Sequence, residues 1–120
     1  MKLLAIVGTN APLSYNRKLL MYMQKHFAKQ ATIEIAEVKD IPLFNEEIAT
    51  DTPPAVEKMR QKIEAADGVI FGVPEYDHGI LAALKSVLEW LSYQHHPFRS
   101  KPCMLVGGFI RSTRNFTRTR

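Results

Sequence analysis

Val69-Ile70-Phe71-Gly72-Val73 runs into Pro74-Glu75-Tyr76-Asp77-His78-Gly79 and then into Ile80-Leu81-Ala82-Ala83-Leu84-Lys85-Ser86-Val87-Leu88-Glu89-Trp90. The five leading residues, almost wholly apolar, suit a strand buried on both faces. The last segment, continued to Leu91, sets Leu81, Leu84, Val87, Leu88 and Leu91 on one side of a helix over about residues 79–92. A polar loop joins the two. Open α/β sheets bind their ligands in such a place, between a strand end and a helix start.

The same alternation extends in both directions. Leu3-Leu4-Ala5-Ile6-Val7 reads as a first buried strand. Ser14 then stands in a helix N-cap position, and Leu19, Leu20, Met23 and Phe27 follow at helical spacing. Residues 32–38 interleave Ile33, Ile35 and Val38 with acidic residues, as in a strand near a sheet edge. A long loop from Ile41 ends at Pro53-Pro54, and Pro54 suits the first turn of a second helix. Its buried face is Val56, Met59, Ile63 and Ala66. After Pro102 comes a last strand, residues 103–106, in which Cys103 is expected in the core. Strand and helix alternate throughout, which predicts a parallel sheet with helices on both faces and right-handed crossovers.

Composition narrows the function classes. The chain has 120 residues, enough for one domain with a real core. No apolar run approaches the roughly 20 residues of a membrane span, and the N-terminus reads as a strand rather than a signal peptide. One cysteine excludes an internal disulfide and fits a reducing, cytoplasmic setting. The net charge of +4 comes from Arg111, Arg114, Arg118 and Arg120; without them basic and acidic residues balance at twelve each. The basic character thus belongs to residues 108–120, which read as a disordered tail, and nucleic acid is not the expected partner.

Candidate chemistry gathers in two loops. Gly8-Thr9-Asn10-Ala11-Pro12-Leu13-Ser14-Tyr15-Asn16-Arg17 joins the first strand to a helix N-terminus. Free backbone N–H groups and the positive end of a helix dipole suit a phosphate there, with Thr9, Ser14 and Asn16 as neutral donors. The plainer reading makes Ser14 only an N-cap and Asn16 only a first-turn residue. Neither the dinucleotide G-x-G-x-x-G nor the Walker lysine motif is present. His95-His96 lacks companions for a metal site. Trp90 and Tyr93 admit two readings, core or subunit interface.

Pro74-Glu75-Tyr76-Asp77, followed by Leu84-Lys85 and Glu89-Trp90, resembles the P-E-Y-N … L-K-N … D-W pattern of NAD(P)H-dependent FMN reductases, which are flavodoxin-like. The first loop resembles that family's G-S-x-R-x-x-S-x-N phosphate loop, with Thr9 for its serine and with Ser14 and Asn16 matching. Ile41-Pro42-Leu43-Phe44-Asn45 and Ala66-Asp67-Gly68 resemble further family segments, so the likeness spans about residues 1–107. It implies a flavodoxin-like three-layer sandwich with sheet order 2-1-3-4.

The resemblance also implies FMN as cofactor. Thr9, Ser14 and Asn16 would hold its phosphate; Pro74, Glu75, Tyr76 and Asp77 would edge its ring; Gly107 would contact its other side. NADPH or NADH would be the donor. A quinone, azo compound, metal oxyanion or free flavin would be the small-molecule acceptor. No protein nucleophile is then required, and a homodimer or higher homo-oligomer is the family expectation.

Four departures stand out. Ala11 replaces a phosphate-pairing arginine, for which Arg17 either compensates or lies in solvent. Asp77 replaces an asparagine, an acceptor-only group that would disfavour an anionic reduced flavin. Ser86 replaces the asparagine after Lys85. Beyond Gly107 the usual glycine-rich loop, helix and final strand find no counterpart, which reads as a truncated or frame-shifted end and leaves the strand at 103–106 as a new edge. The alternatives to a reductase are therefore a fragment with impaired flavin binding and a flavodoxin-type electron carrier. Against the carrier stands the neutral body of the domain.

Overall fold

The computed structural model describes residues 1–9, 11, 14–48, 52–73, 75–76, 79–80, 82–93 and 96–107, with backbone alone at 48, 75, 76, 79 and 80. The elements run β1 (Lys2–Val7), α1 (Tyr15–His26), β2 (Thr32–Ala36), a 3-10 turn (Glu46–Ile48), α2 (Pro54–Ala65), β3 (Gly68–Gly72), β4 (Glu75–Tyr76), β5 (Gly79–Ile80), α3 (Ala82–Tyr93) and β6 (Cys103–Val106). β2, β1, β3 and β6 form one sheet in that order, all pairs parallel. With β6 as the fourth long strand, this is the expected order 2-1-3-4. β4 and β5 form a separate antiparallel pair.

Burial follows the sequence pattern. β3 is buried along its whole length and β1 from Leu4 to Val7, because each has a strand on both sides and helices over both faces. One face carries Ala5, Val7, Ile33 and Ile70 against Leu20 of α1. The other carries Leu4, Ile6, Val69 and Phe71 against Val56, Met59 and Ile63 of α2 and Leu84, Val87, Trp90 and Leu91 of α3. The two clusters alternate along each strand, as a pleated sheet requires. Pro54 opens α2, where its missing N–H costs nothing.

Three local expectations need correction. Helix α3 begins at Ala82, not near Gly79, because Gly79–Ile80 pairs with Glu75–Tyr76 instead of entering the helix. Phe27 caps α1 and is 40% exposed, so the apolar stripe of that helix ends at Met23. Cys103 is exposed rather than in the core. Strand β6 has a neighbour, β3, on one side alone among the described strands, and Met104 and Leu105 are exposed with it. Position in the sheet, not apolar composition, set the outcome there. The stretch 108–120, expected as a basic tail, lies outside the described residues.

Candidate functional site

Parallel pairing brings the C-terminal ends of β1, β3 and β6 to one edge of the sheet. The chain leaving each strand is tied to its neighbour. The Gly8 N–H donates to the Gly72 carbonyl at 2.9 Å, and the Val73 N–H donates to the Val106 carbonyl at 2.9 Å. The first loop, the loop after β3 and Gly107 therefore start from one place.

The first loop is built from hydroxyls that accept inward. Thr9, 5% exposed, accepts the Ala11 N–H through Oγ1 at 3.1 Å. Ser14 has extended N-cap geometry and accepts the Arg17 N–H through Oγ at 3.3 Å. A hydroxyl that accepts from the backbone still has its own proton to donate. Two such donors thus flank the N-terminus of α1, whose first N–H groups and dipole favour an anion. The plain reading of Ser14 as an N-cap holds, and it is compatible with the second role.

Asn16 lies under this loop and is 3% exposed. A Cβ built on Gly107 would lie 3.1 Å from the Val73 carbonyl oxygen and 3.8 Å from Asn16 Oδ1. Asn16 and Gly107, far apart in sequence, are neighbours in space. A Cβ on Gly72 would meet Leu20 Cδ1 at 3.0 Å and Asn16 Cβ at 3.6 Å. Gly72 keeps room for the first helix, and Gly107 for the backbone leaving β3.

Arg17 is not a solvated arginine but is held by Glu37 and the Ala11 carbonyl. Its Nε and Nη2 donate to the two carboxylate oxygens of Glu37 at 2.9 and 2.8 Å, and Nη1 donates to the Ala11 carbonyl at 2.8 Å. Hydrogen bonding to Arg17 holds the Glu37 carboxyl below its ordinary range, against the opposing effect of partial burial. The Arg17 guanidinium is pushed up in turn, chiefly by the same bond. A carboxyl with a lowered folded-state pKa stabilises the fold above its unfolded value of about 4.3, and that gain disappears as pH falls through the folded value. The Glu37 side chain is 36% exposed, so solvent screening keeps the effect to about 1 kcal/mol at most. Wild-type protein should lose more urea resistance than Glu37→Gln between about pH 6 and about pH 3. Parallel curves for the two proteins would remove the pair from the stability account.

After β3 the hairpin β4–β5 holds Glu75 opposite Ile80 and Tyr76 opposite Gly79. Of the expected ring-edging residues, the backbone of Glu75 and Tyr76 is thereby placed just beyond the C-terminal end of β3. Pro74 and Asp77 lie outside the described residues.

The loop from Ile41 is fastened to α3, a link that sequence reading missed. Trp90 Nε1 donates to the Pro42 carbonyl at 2.8 Å, and Ser86 Oγ accepts the Phe44 N–H at 3.3 Å. The Phe44 ring meets Trp90 edge-on with centroids 5.1 Å apart. Trp90 is 5% exposed, which decides for core over interface; Tyr93 is 45% exposed. Ser86 and Trp90 sit four residues apart on one side of a helix, and that spacing was the available signal. No group of three metal-ligating side chains occurs among the described residues, and His96 is exposed. Among the described residues, no helix is long and apolar enough to cross a membrane.

Comparison with known proteins agrees with this geometry. The family model for NADPH-dependent FMN reductases matches residues 1–117. The chain is 50% identical over 107 residues to subunit CrdA of an NADH:(hydroxy)cinnamate reductase from Vibrio ruber, covering 89% of this chain and 53% of that protein. It is 50% identical over 111 residues to subunit 2 of an NADH-dependent flavin reductase from Lactobacillus johnsonii, covering 89% and 59%. The chain thus spans somewhat over half the length of these curated relatives. Among solved structures, the flavoenzyme NAD(P)H:(acceptor) oxidoreductase FerB of Paracoccus denitrificans superposes with a TM-score of 0.81 at 25% identity, covering 88% of this chain and 59% of that one. Fold, first loop and sequence match converge, and the chain belongs to the flavodoxin-like NADPH-dependent FMN reductase family.

Proposed function

We propose that this chain forms the FMN-binding part of an NAD(P)H-dependent reductase. The observation that carries the reading is the first loop: two hydroxyls that already accept backbone N–H groups flank the N-terminus of α1. The fit of the cofactor is supported by Gly107, where a side chain would press on the Val73 carbonyl and approach Asn16. Thr9, Ser14 and the N-terminus of α1 would hold the phosphate, with Asn16 beneath them. Pro74, Glu75, Tyr76 and Asp77 would edge the ring, and Gly107 would leave space on its far side.

Bound FMN supplies hydride acceptance from NADH or NADPH and electron delivery to a quinone, azo compound, metal oxyanion or free flavin. The protein's own work is to bind, orient and leave stacking room. Two relatives are named as subunits, which favours function in an assembly, either a homo-oligomer or a complex with another chain. We place that assembly in the cytoplasm.

Reconstitution tests the reading directly. The purified chain, incubated with FMN and desalted, should keep a yellow flavin spectrum. It should then oxidise NADH or NADPH when a quinone is present. A colourless protein that leaves FMN fluorescence unquenched sinks the proposal. Retained flavin without nicotinamide oxidation points to the electron carrier instead.

A further inference from the structure

We propose that Arg17 is a positioning residue: fixed by Glu37, its guanidinium holds the Ala11 carbonyl and thereby shapes the first loop for the FMN phosphate, without pairing with that phosphate. The inference rests on the flavin reading above.

Arg17 sits in the first turn of α1, one residue past Asn16, where a cation opposes the helix dipole. The obvious use of a cation there is to meet an anionic ligand. The observed geometry points elsewhere. Two of the three guanidinium nitrogens grip Glu37 in a bidentate fork, and the third is turned onto the Ala11 carbonyl at 2.8 Å. A planar fork of this kind fixes direction as well as charge. A phosphate competing for the N–H groups that face Glu37 would have to displace a carboxylate.

Glu37 is itself held in place. Ala36 and Val38 on either side of it are 3% and 2% exposed, both in the cluster on the α2 and α3 face. In an extended segment the residue between them turns to the opposite face, where α1 lies. The clamp thus runs from the end of β2, through Arg17, to a loop carbonyl two residues past Thr9. The N–H of the same Ala11 donates to Thr9 Oγ1, which leaves that hydroxyl's own proton for a ligand.

FMN and riboflavin titrations, followed by flavin fluorescence at low and high salt, separate clamp from phosphate partner. In Glu37→Gln the FMN dissociation constant should rise about tenfold, riboflavin binding should change less than twofold, and the salt dependence should match wild type. Arg17→Lys should be weakened to a similar degree, because an ammonium cannot reproduce the three-way fork. Tighter FMN binding in Glu37→Gln would overturn the clamp and make Arg17 a phosphate partner that Glu37 holds back. Full rescue by Arg17→Lys would overturn it as well. If wild-type protein fails to bind FMN, the functional reading falls and the proposal with it; wild-type binding with unaltered variants removes the clamp alone.

Discussion

Trp90→Ala should destabilise the chain by about 3–5 kcal/mol, the range for truncating a large buried aromatic. That is a large share of the roughly 5–15 kcal/mol that holds a typical domain together, and for a chain of this size it corresponds to a melting shift of about 10–20 °C. The residue is 5% exposed, belongs to the larger core cluster and makes an edge-on contact with Phe44. Truncation would open a cavity between α3 and the loop at 41–44 that a backbone fastened elsewhere cannot fill. It would also remove the donor to the Pro42 carbonyl. Trp90→Phe separates these effects: most of the packing stays, and the cost should drop to about 1–2 kcal/mol for the lost hydrogen bond and the smaller ring. Urea unfolding of both variants reads the difference. A Trp90→Ala protein within about 1 kcal/mol of wild type would mean that the indole is not core, and the subunit-interface reading would return.

Asn16→Asp should weaken FMN binding by about two orders of magnitude. The substitution is nearly isosteric, so packing beside Leu20, Gly72 and Gly107 is kept. The change is electrostatic. A carboxylate in a pocket 3% exposed stands beside the place where an anionic phosphate would sit. A unit charge at about 6 Å with an effective dielectric near 20 is worth about 3 kcal/mol, and each 1.4 kcal/mol is a factor of ten in affinity. For the fold, burying a carboxylate costs more than the α1 dipole returns, so the variant should also melt lower, and binding is compared at a temperature where both proteins are folded. Riboflavin, which lacks the phosphate, is the control and should bind almost as before. An FMN affinity within threefold of wild type would place the phosphate away from Asn16.

These two residues show how unevenly the molecule was legible. The first-turn placement of Asn16 was legible, because helix starts carry local signals. Trp90 could not be assigned to core or interface, since its partners Pro42 and Phe44 lie more than forty residues away. Ser86 looked like a loss relative to the family pattern, yet its hydroxyl accepts the Phe44 N–H and keeps the loop attached. Arg17 was left between solvent and phosphate, and its real partner is twenty residues distant on the far side of a crossover. The start of α3 was placed too early because Gly79 and Ile80 fit a helical stripe, while pairing with Tyr76 and Glu75 claims their backbone.

The family resemblance implied the sheet order; what the patterning of the sequence determined was the alternation of strands and helices, the face each element buries and the parallel sheet. Those properties are written in periods of two and 3.6 residues, which any short window contains. The tertiary structure alone decided that Cys103, Met104 and Leu105 lie exposed on an edge, that Arg17 clamps Ala11 through Glu37, and that Asn16 meets Gly107. Such outcomes depend on which strands become neighbours and how far a side chain reaches across them. A contact between residues twenty or ninety positions apart leaves no period in the chain to read.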